Sequence, residues 1–169
     1  MVRLARLPLL LAIVAAGLTP QRAEAVTQNA SVQASVVKPL TLTALQDLDL
    51  GTITLRPGAW SGATVGIART GTFNCNSNVI CSGAPQVALY KVTGTNRMVV
   101  RITAPNVTLV NQNDPTKTLN LTVDSPGQVT LTSSGEPGVT FPLGGSIALS
   151  STTAEGNYTG TFNVTVDYQ

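Results

Sequence analysis

The residues that could do chemistry in this 169-residue chain are few: two cysteines, a pair of closely spaced aspartates, some lysines, and no histidine. Ser-His-Asp and Cys-His nucleophilic sites both need a histidine base, so the chain cannot form either of them. Lys38, Lys91 and Lys117 have no S-x-x-K context that would indicate a Ser-Lys pair. The sequence therefore predicts a protein that is not an enzyme and that needs no cofactor.

Asp47 and Asp49 lie two positions apart, so a strand would place both carboxylates on one face. That arrangement could be half of a carboxylate metal site or a general acid/base pair. The other interpretation is that they face solvent at the start of a strand and discourage edge pairing. No further carboxylate clusters with them in the sequence, which favours the solvent-facing interpretation and predicts no metal site.

Cys75 and Cys81 are the other reactive pair. An even number of cysteines in an exported chain indicates a disulfide. Zinc would need further thiolate or imidazole ligands, and the C-x5-C spacing is not the redox C-x-x-C motif. The closed loop is short, so the bond should contribute about 2–2.5 kcal/mol and hold a local loop rather than the whole domain.

Residues 1–25 have the features of a secretory signal peptide. Arg3 and Arg6 are followed by an apolar run over 7–18, and Ala23-Glu24-Ala25 is an A-x-A cleavage site. The run is about 12 residues long, short of the roughly 20 that a membrane-spanning helix needs. The sequence predicts export into the periplasm and cleavage after Ala25.

The mature chain, residues 26–169, is the length of one domain. Residues 1–25 hold three of the 10 basic residues and one of the 8 acidic ones, which leaves seven of each sign. A net charge near zero gives no electrostatic surface for nucleic acid. The composition thus predicts no nucleic-acid partner.

The patterning indicates strands throughout, because no stretch after the signal peptide has helical periodicity. Short apolar segments recur every 8–12 residues between Gly, Pro and Asn turns, which predicts an all-β antiparallel sandwich or barrel. Residues 87–92 and 97–102 are predicted to form a hairpin, and Gly144-Gly145 is predicted to be a turn.

The clearest alternation occurs at the two ends of the mature chain. From residue 30 to 36, with Val26 before them, and again from 158 to 168 apart from Gly160, apolar side chains occupy even positions and polar ones occupy odd positions. The segments 26–37 and 156–169 are therefore each predicted to be a strand with one apolar face. The apolar set of the first is Val26, Ala30, Val32, Ala34 and Val36; the even positions of the second include Gly156, Tyr158, Phe162, Val164, Val166 and Tyr168.

The C-terminal pattern resembles that of bacterial chaperone–usher pilus subunits, most closely the archaic type related to spore coat protein U. Those subunits typically have a glycine fourteen residues from the end and an aromatic residue next to last, the places of Gly156 and Tyr168. Residues 39–51, followed by Gly144-Gly145, are also similar to an uncharacterised family of secreted pilin-like domains.

The resemblance implies an immunoglobulin-like, pilin-type β-sandwich over 38–169 that lacks its last strand. Tyr158 to Tyr168 would then be the acceptor strand, and 26–37 would be a donor strand for the next subunit. The implied partners are further copies or related subunits, a periplasmic chaperone and an outer-membrane usher. The implied function is a structural subunit of a fimbria or surface coat.

Two alternatives remain open at this point. The first strand could fold back onto its own subunit, giving a self-complemented cell-surface domain that does not polymerise. The chain could also be an adhesin that binds a host or surface glycan, with Trp60 as the stacking residue; the other interpretation of Trp60 is a core side chain beside a turn.

Overall fold

The computed structural model describes residues 24–169, which fall into two units that divide between Ala34 and Ser35. The predicted signal peptide therefore lies outside the described residues, apart from Glu24 and Ala25. Residues 24–169 contain no helix, and so none long and apolar enough to span a membrane.

The described part of the first unit, residues 24–34, contains no strand, and all of its side chains are exposed. Val26 and Val32 are 82% and 92% exposed, and Val36, at the start of the second unit, is 92% exposed. The strand predicted for 26–37 is thus not formed within this chain. Its role as a donor strand stays a prediction.

The second unit consists of antiparallel strands, as predicted. Its β-structure is β1 (Thr41–Gln46), β2 (Thr52–Leu55), β3 (Ala63–Ile67), β4 (Phe73–Cys75), β5 (Val79–Ser82), β6 (Ala88–Thr93), β7 (Val99–Thr103), β8 (Val107–Asn111), β9 (Thr118–Asp124), β10 (Gln128–Thr130), β11 (Val139–Leu149), β12 (Tyr158–Thr159) and β13 (Thr165–Tyr168).

The strands form three sheets within the described residues. The largest has eight strands: its main order is β1-β6-β11-β9-β8-β12, and β3 joins it beside β11 with β4 outside β3. The second has the order β10-β7-β13, and the third is the ribbon β2-β5. The large sheet forms one layer, and the two smaller sheets cover it.

Strand β11 organises the large sheet because its two halves have different partners. Its first half pairs with β6, and its second half pairs with β3 and β9. Gly144 and Gly145 lie where the partners change. The prediction that they form a turn was wrong, since they lie inside the longest strand. Glycine is needed at both positions because neighbouring segments approach too closely there for a side chain.

Two apolar clusters lie between the layers, which confirms the predicted all-β antiparallel sandwich. The first core joins β6 and β11 of the large sheet to β7, and the second joins β3, β9 and β11 to β5. The first core consists of Ala88, Val92, Val100, Ile102, Leu131, Phe141 and Leu143. The second consists of Ala63, Val65, Val79, Leu121, Ile147 and Leu149.

The prediction that 87–92 and 97–102 form a hairpin was wrong. Strand β6 pairs with β1 and β11, whereas β7 pairs with β10 and β13, so the two strands belong to different sheets. Gly94 lies in the connection between them, packed under the Leu40 and Leu131 side chains and the Tyr168 hydroxyl. The connection crosses between layers because both strands bury their apolar faces in the first core.

Replacing Gly144 by alanine should destabilise the domain. The new Cβ would overlap the carbonyl oxygen of Ile67 and the backbone around Ala68 and Arg69, so the paired strands would have to move apart. Overpacking of this kind costs about 1–3 kcal/mol in the free energy of unfolding. Urea denaturation followed by tryptophan fluorescence would measure it.

The matched control is Ala148→Val, which also adds carbon atoms to β11 but at an exposed position. We expect its free energy of unfolding to change by no more than about 0.5 kcal/mol. Equal effects of the two substitutions would contradict the close approach at Gly144.

Candidate functional site: an apolar groove between two edge strands

The second unit contains a groove of about 900 Å³. One rim is formed by residues 48–55, which include β2, and the other by residues 153–160, which include β12. The floor comes from β8, β9 and β11 of the large sheet. Its side chains are Leu109, Leu119, Leu121, Ile147 and Leu149, and Phe162 lines the groove as well.

The floor of the groove is apolar because it opens directly onto the second core. Leu121, Ile147 and Leu149 are only 3%, 6% and 6% exposed, and they belong to that core. On the rim, Ile53 and Leu55 are half-buried, while the threonines that alternate with them are exposed. The strand thus turns its apolar face inward, as period-2 alternation requires.

Both rims are edge strands. Residues 52–55 of β2 pair only with β5, and Tyr158 and Thr159 of β12 pair only with Asn111 and Val110 of β8. Within the described residues, the second edge of each rim strand has no strand partner. A groove between two such edges exposes N–H and C=O groups above an apolar floor, which is the surface that an added strand can pair with.

The predicted acceptor strand does not form one continuous strand. Residues 158–159 pair with β8 and 165–168 pair with β7, and the register slips by one residue between the two ladders. The even-numbered side chains Tyr158, Phe162, Val164, Val166 and Tyr168 are half-buried, and the odd-numbered ones are exposed. The break at 160–164 occurs where the segment leaves the large sheet for the small one.

Asn111 fixes the start of the segment 156–168, which contains the predicted acceptor strand. This side chain is 1% exposed; its Nδ2 donates to the Glu155 carbonyl at 2.8 Å, and its Oδ1 accepts from the Asn113 and Asp114 amides at 2.9 and 3.3 Å. Gly156 lies directly on that amide with φ of 141°, so any Cβ would collide with it. Asn111 was not among the predicted site residues.

Tyr168 fixes the other end of the acceptor segment. Its hydroxyl accepts a hydrogen bond from the Thr95 amide at 2.7 Å and donates one to the Lys38 carbonyl at 2.7 Å. The Lys38 amide in turn donates to the Thr95 hydroxyl at 2.6 Å. Tyr168 therefore binds Lys38, the residue that directly follows the predicted donor segment 26–37.

The predicted disulfide between Cys75 and Cys81 is confirmed, and it links β4 to β5 rather than closing a simple hairpin. Trp60 packs against the second core, and its Nε1 donates to the Arg56 carbonyl at 3.0 Å. This environment agrees with the interpretation of Trp60 as a core side chain beside a turn.

The two aspartates have separate local roles. Asp49 pairs through its backbone with Gln86, and its Oδ1 accepts from the Gly51 amide at 2.8 Å, which stabilises the turn before β2. Burial raises the pKa of Tyr90, and the negative charge of Asp47 raises it further. Residues 24–169 contain no group of three or more Cys, Asp or Glu side chains that could hold a metal.

The remaining shifted acid lies outside the groove lining. The pKa of Asp114 is lowered by hydrogen bonds from the Thr116 hydroxyl and then from the Thr116 amide, at 2.7 and 3.0 Å. These bonds shape the turn between β8 and β9, on which Asn111 depends. The groove itself is a surface for apolar and backbone contacts.

A family match covers both cores and both rims of the groove. The model of a domain of unknown function, DUF4402, matches residues 40–168. The chain belongs to this family. The match begins after the segment 26–37, so the predicted donor strand precedes the family's domain. No curated protein and no solved structure matches the chain.

Replacing Asn111 by alanine should loosen the rim formed by residues 153–160. The substitution removes three hydrogen bonds, one to the Glu155 carbonyl and two from the Asn113 and Asp114 amides, and each contributes about 0.5–1.5 kcal/mol. We expect a loss of about 1.5–4.5 kcal/mol in the free energy of unfolding, the sum of the three, with faster amide exchange at 155–159. Urea denaturation and hydrogen exchange would measure the two effects.

Asn113→Ala is the matched control, because Asn113 is exposed and only its backbone contacts Asn111. We expect it to leave both measurements unchanged. If Asn111→Ala also left the free energy of unfolding and the amide exchange at 155–159 unchanged, other contacts would hold the rim.

Proposed function

We propose that this protein is an exported structural subunit of a fimbria or surface coat, and that it assembles by donor-strand exchange. In this mechanism, residues 26–37 of one copy lie in the groove of the next. The subunit has the immunoglobulin-like, pilin-type sandwich that lacks one strand, and the incoming segment takes the place of that strand.

The observation that carries the proposal is the pair of unpaired rims on either side of an apolar floor. A strand inserted between β2 and the segment 153–160 would gain backbone hydrogen bonds on both sides. It would also cover the half-buried rim residues Ile53, Leu55 and Phe162. One extended segment therefore meets both requirements of the groove.

The segment 26–37 has the composition that such an insert needs. Val26, Val32 and Val36 are 82–92% exposed, and the polar residues between them would face away from the floor. Burying Ala30, Val32, Ala34 and Val36 would contribute about 1–2 kcal/mol each. Their small size suits a groove between two strands.

The proposed contact propagates because donor and acceptor are different surfaces of the chain. A heterologous contact of this kind builds a fibre rather than a closed dimer. An open groove is also an aggregation hazard before assembly, which supports a periplasmic chaperone that covers it and an outer-membrane usher that exchanges the two. The predicted signal peptide supports export to that compartment.

The donor side is tested with Val32→Arg in the full mature chain. A cation placed against the apolar floor would lose its hydration, so we expect this variant to stay monomeric where the wild type polymerises. The matched control is Gln33→Arg, which adds the same charge on the opposite face of the segment. We expect it to polymerise like the wild type in light scattering and electron microscopy.

The acceptor side is tested with Ile53→Arg, which places a charge on the groove rim, against Ile80→Arg, the same substitution at a β5 side chain that is 50% exposed and does not line the groove. We expect Ile53→Arg to remain monomeric and Ile80→Arg to polymerise. Mixing the Val32→Arg and Ile53→Arg chains restores one intact donor and one intact groove. The expected product is a complex of one copy of each, with no longer species.

Three results would count against the proposal. A wild-type chain that stays monomeric, with Val32→Arg lowering its unfolding free energy, would indicate self-complementation. Polymerisation that ignores Val32→Arg would exclude this donor segment. A mixture that forms no 1:1 complex would show that the two substitutions do not act on the two halves of one contact.

A further inference from the structure

The β2 rim of the groove depends on a single ladder. All four of its residues pair with β5, and Ile53 lies directly opposite Cys81. A two-stranded ribbon is marginally stable on its own. Apart from the packing of Ile53 and Leu55 against the second core, the position of this rim is therefore set by whatever holds β5.

Strand β5 is joined covalently to the large sheet. Cys81 is bonded to Cys75 of β4, and Cys75 lies opposite Val65 of β3, a residue with 0% exposure. Strand β3 pairs in turn with β11, the longest strand. A continuous path thus runs from the groove rim through one disulfide to the centre of the large sheet.

Besides the packing of Ile53, Leu55 and Cys81 against the second core, the other attachments of the ribbon lie at or beyond its ends. Val79 is buried in the second core, and the Arg56 amide donates to the Asn78 carbonyl at one end. The bridge between Asp49 and Gln86 lies beyond the other end. The disulfide is the attachment at Cys81, opposite the apolar Ile53 that lines the groove.

We propose that the Cys75–Cys81 disulfide is a positioning element of the groove, which holds the β2 rim where a donor strand can pair with both rims. The inference rests on the proposed function for the identity of the docked segment. It assigns the bond a role in binding beyond local stability: without it, the two cores remain and the rim moves away from the floor.

The test uses the full mature chain carrying Val32→Arg, whose own segment cannot dock and whose groove is intact. The probe is a synthetic peptide of residues 26–37, and Cys75→Ser with Cys81→Ser removes the bond. We expect the peptide to dissociate at least about tenfold faster, since changes at one interface act mostly on the dissociation rate. Ile80→Ser is the control, because this β5 side chain is 50% exposed and contributes nothing to the bond.

A second measurement separates positioning from general stabilisation. In the free protein, we expect amide exchange to accelerate in β2 and β5 of the serine variant while β7, which pairs in another sheet, keeps its protection. Equal acceleration in β2 and β7 would overturn the inference, because the bond would then stabilise the whole domain. Unchanged exchange in β2 would overturn it as well.

A reversible version uses the unsubstituted cysteines in the same Val32→Arg chain. A dithiol reductant breaks the S–S bond by supplying two electrons and two protons, and it is itself oxidised to a cyclic disulfide. We expect reduction to accelerate peptide dissociation and reoxidation to restore it. Tight binding that survives reduction would overturn the inference, whereas an oxidised protein that never binds the peptide would overturn the proposed function and, with it, the role in docking.

Discussion

The groove depends on two strands, β2 and β12, that each have one edge without a strand partner among residues 24–169. Backbone N–H and C=O groups need partners, and apolar side chains need cover. On the groove side of the second core, β2 and the segment 153–160 supply part of that cover, and Ile53, Leu55 and Phe162 stay half-buried. The proposed donor strand would supply the rest of the cover and the missing backbone partners.

The rest of the domain holds the two rims apart. Strand β11 changes partners at Gly144 and thereby supports both cores. The rim formed by residues 153–160 is fixed by the buried Asn111, and the β2 rim is attached through β5 and its disulfide. A cavity between strands would normally close by collapse. Here Asn111 and the β5 disulfide attach the two rims to the large sheet, so the gap between the rims is kept open.

The alternation of residue types predicted the fold class and the inward faces, because side-chain direction along a strand is a local property. It could not predict partners. Strands β6 and β7 looked like a hairpin, yet each buries its apolar face on a different side of the first core. Gly144-Gly145 looked like a turn because a glycine required by close backbone contact has the same local signature as one required by a turn.

The site was predictable only in part for the same reason. The C-terminal pattern identified one rim, whereas the only edge signal at the opposite rim, 48–55, was the pair Asp47 and Asp49 at its start, which does not indicate which surface the edge borders. Asn111 was missed because a buried asparagine near a strand end resembles an ordinary turn residue. Its importance comes from Glu155 and Gly156, more than 40 positions away, and only the folded chain brings them together.

The Tyr168 hydroxyl connects the two halves of the proposed joint within one molecule. It lies at the end of the acceptor segment and holds the Lys38 carbonyl, the root of the donor segment. In a fibre, tension on residues 26–37 would enter the domain at Lys38, where it would divide between the backbone that continues into β1 and the hydrogen bond to Tyr168 in β13. Strand β1 pairs with β6 of the large sheet and β13 pairs with β7 of the three-stranded sheet, so both layers of the sandwich would share the load.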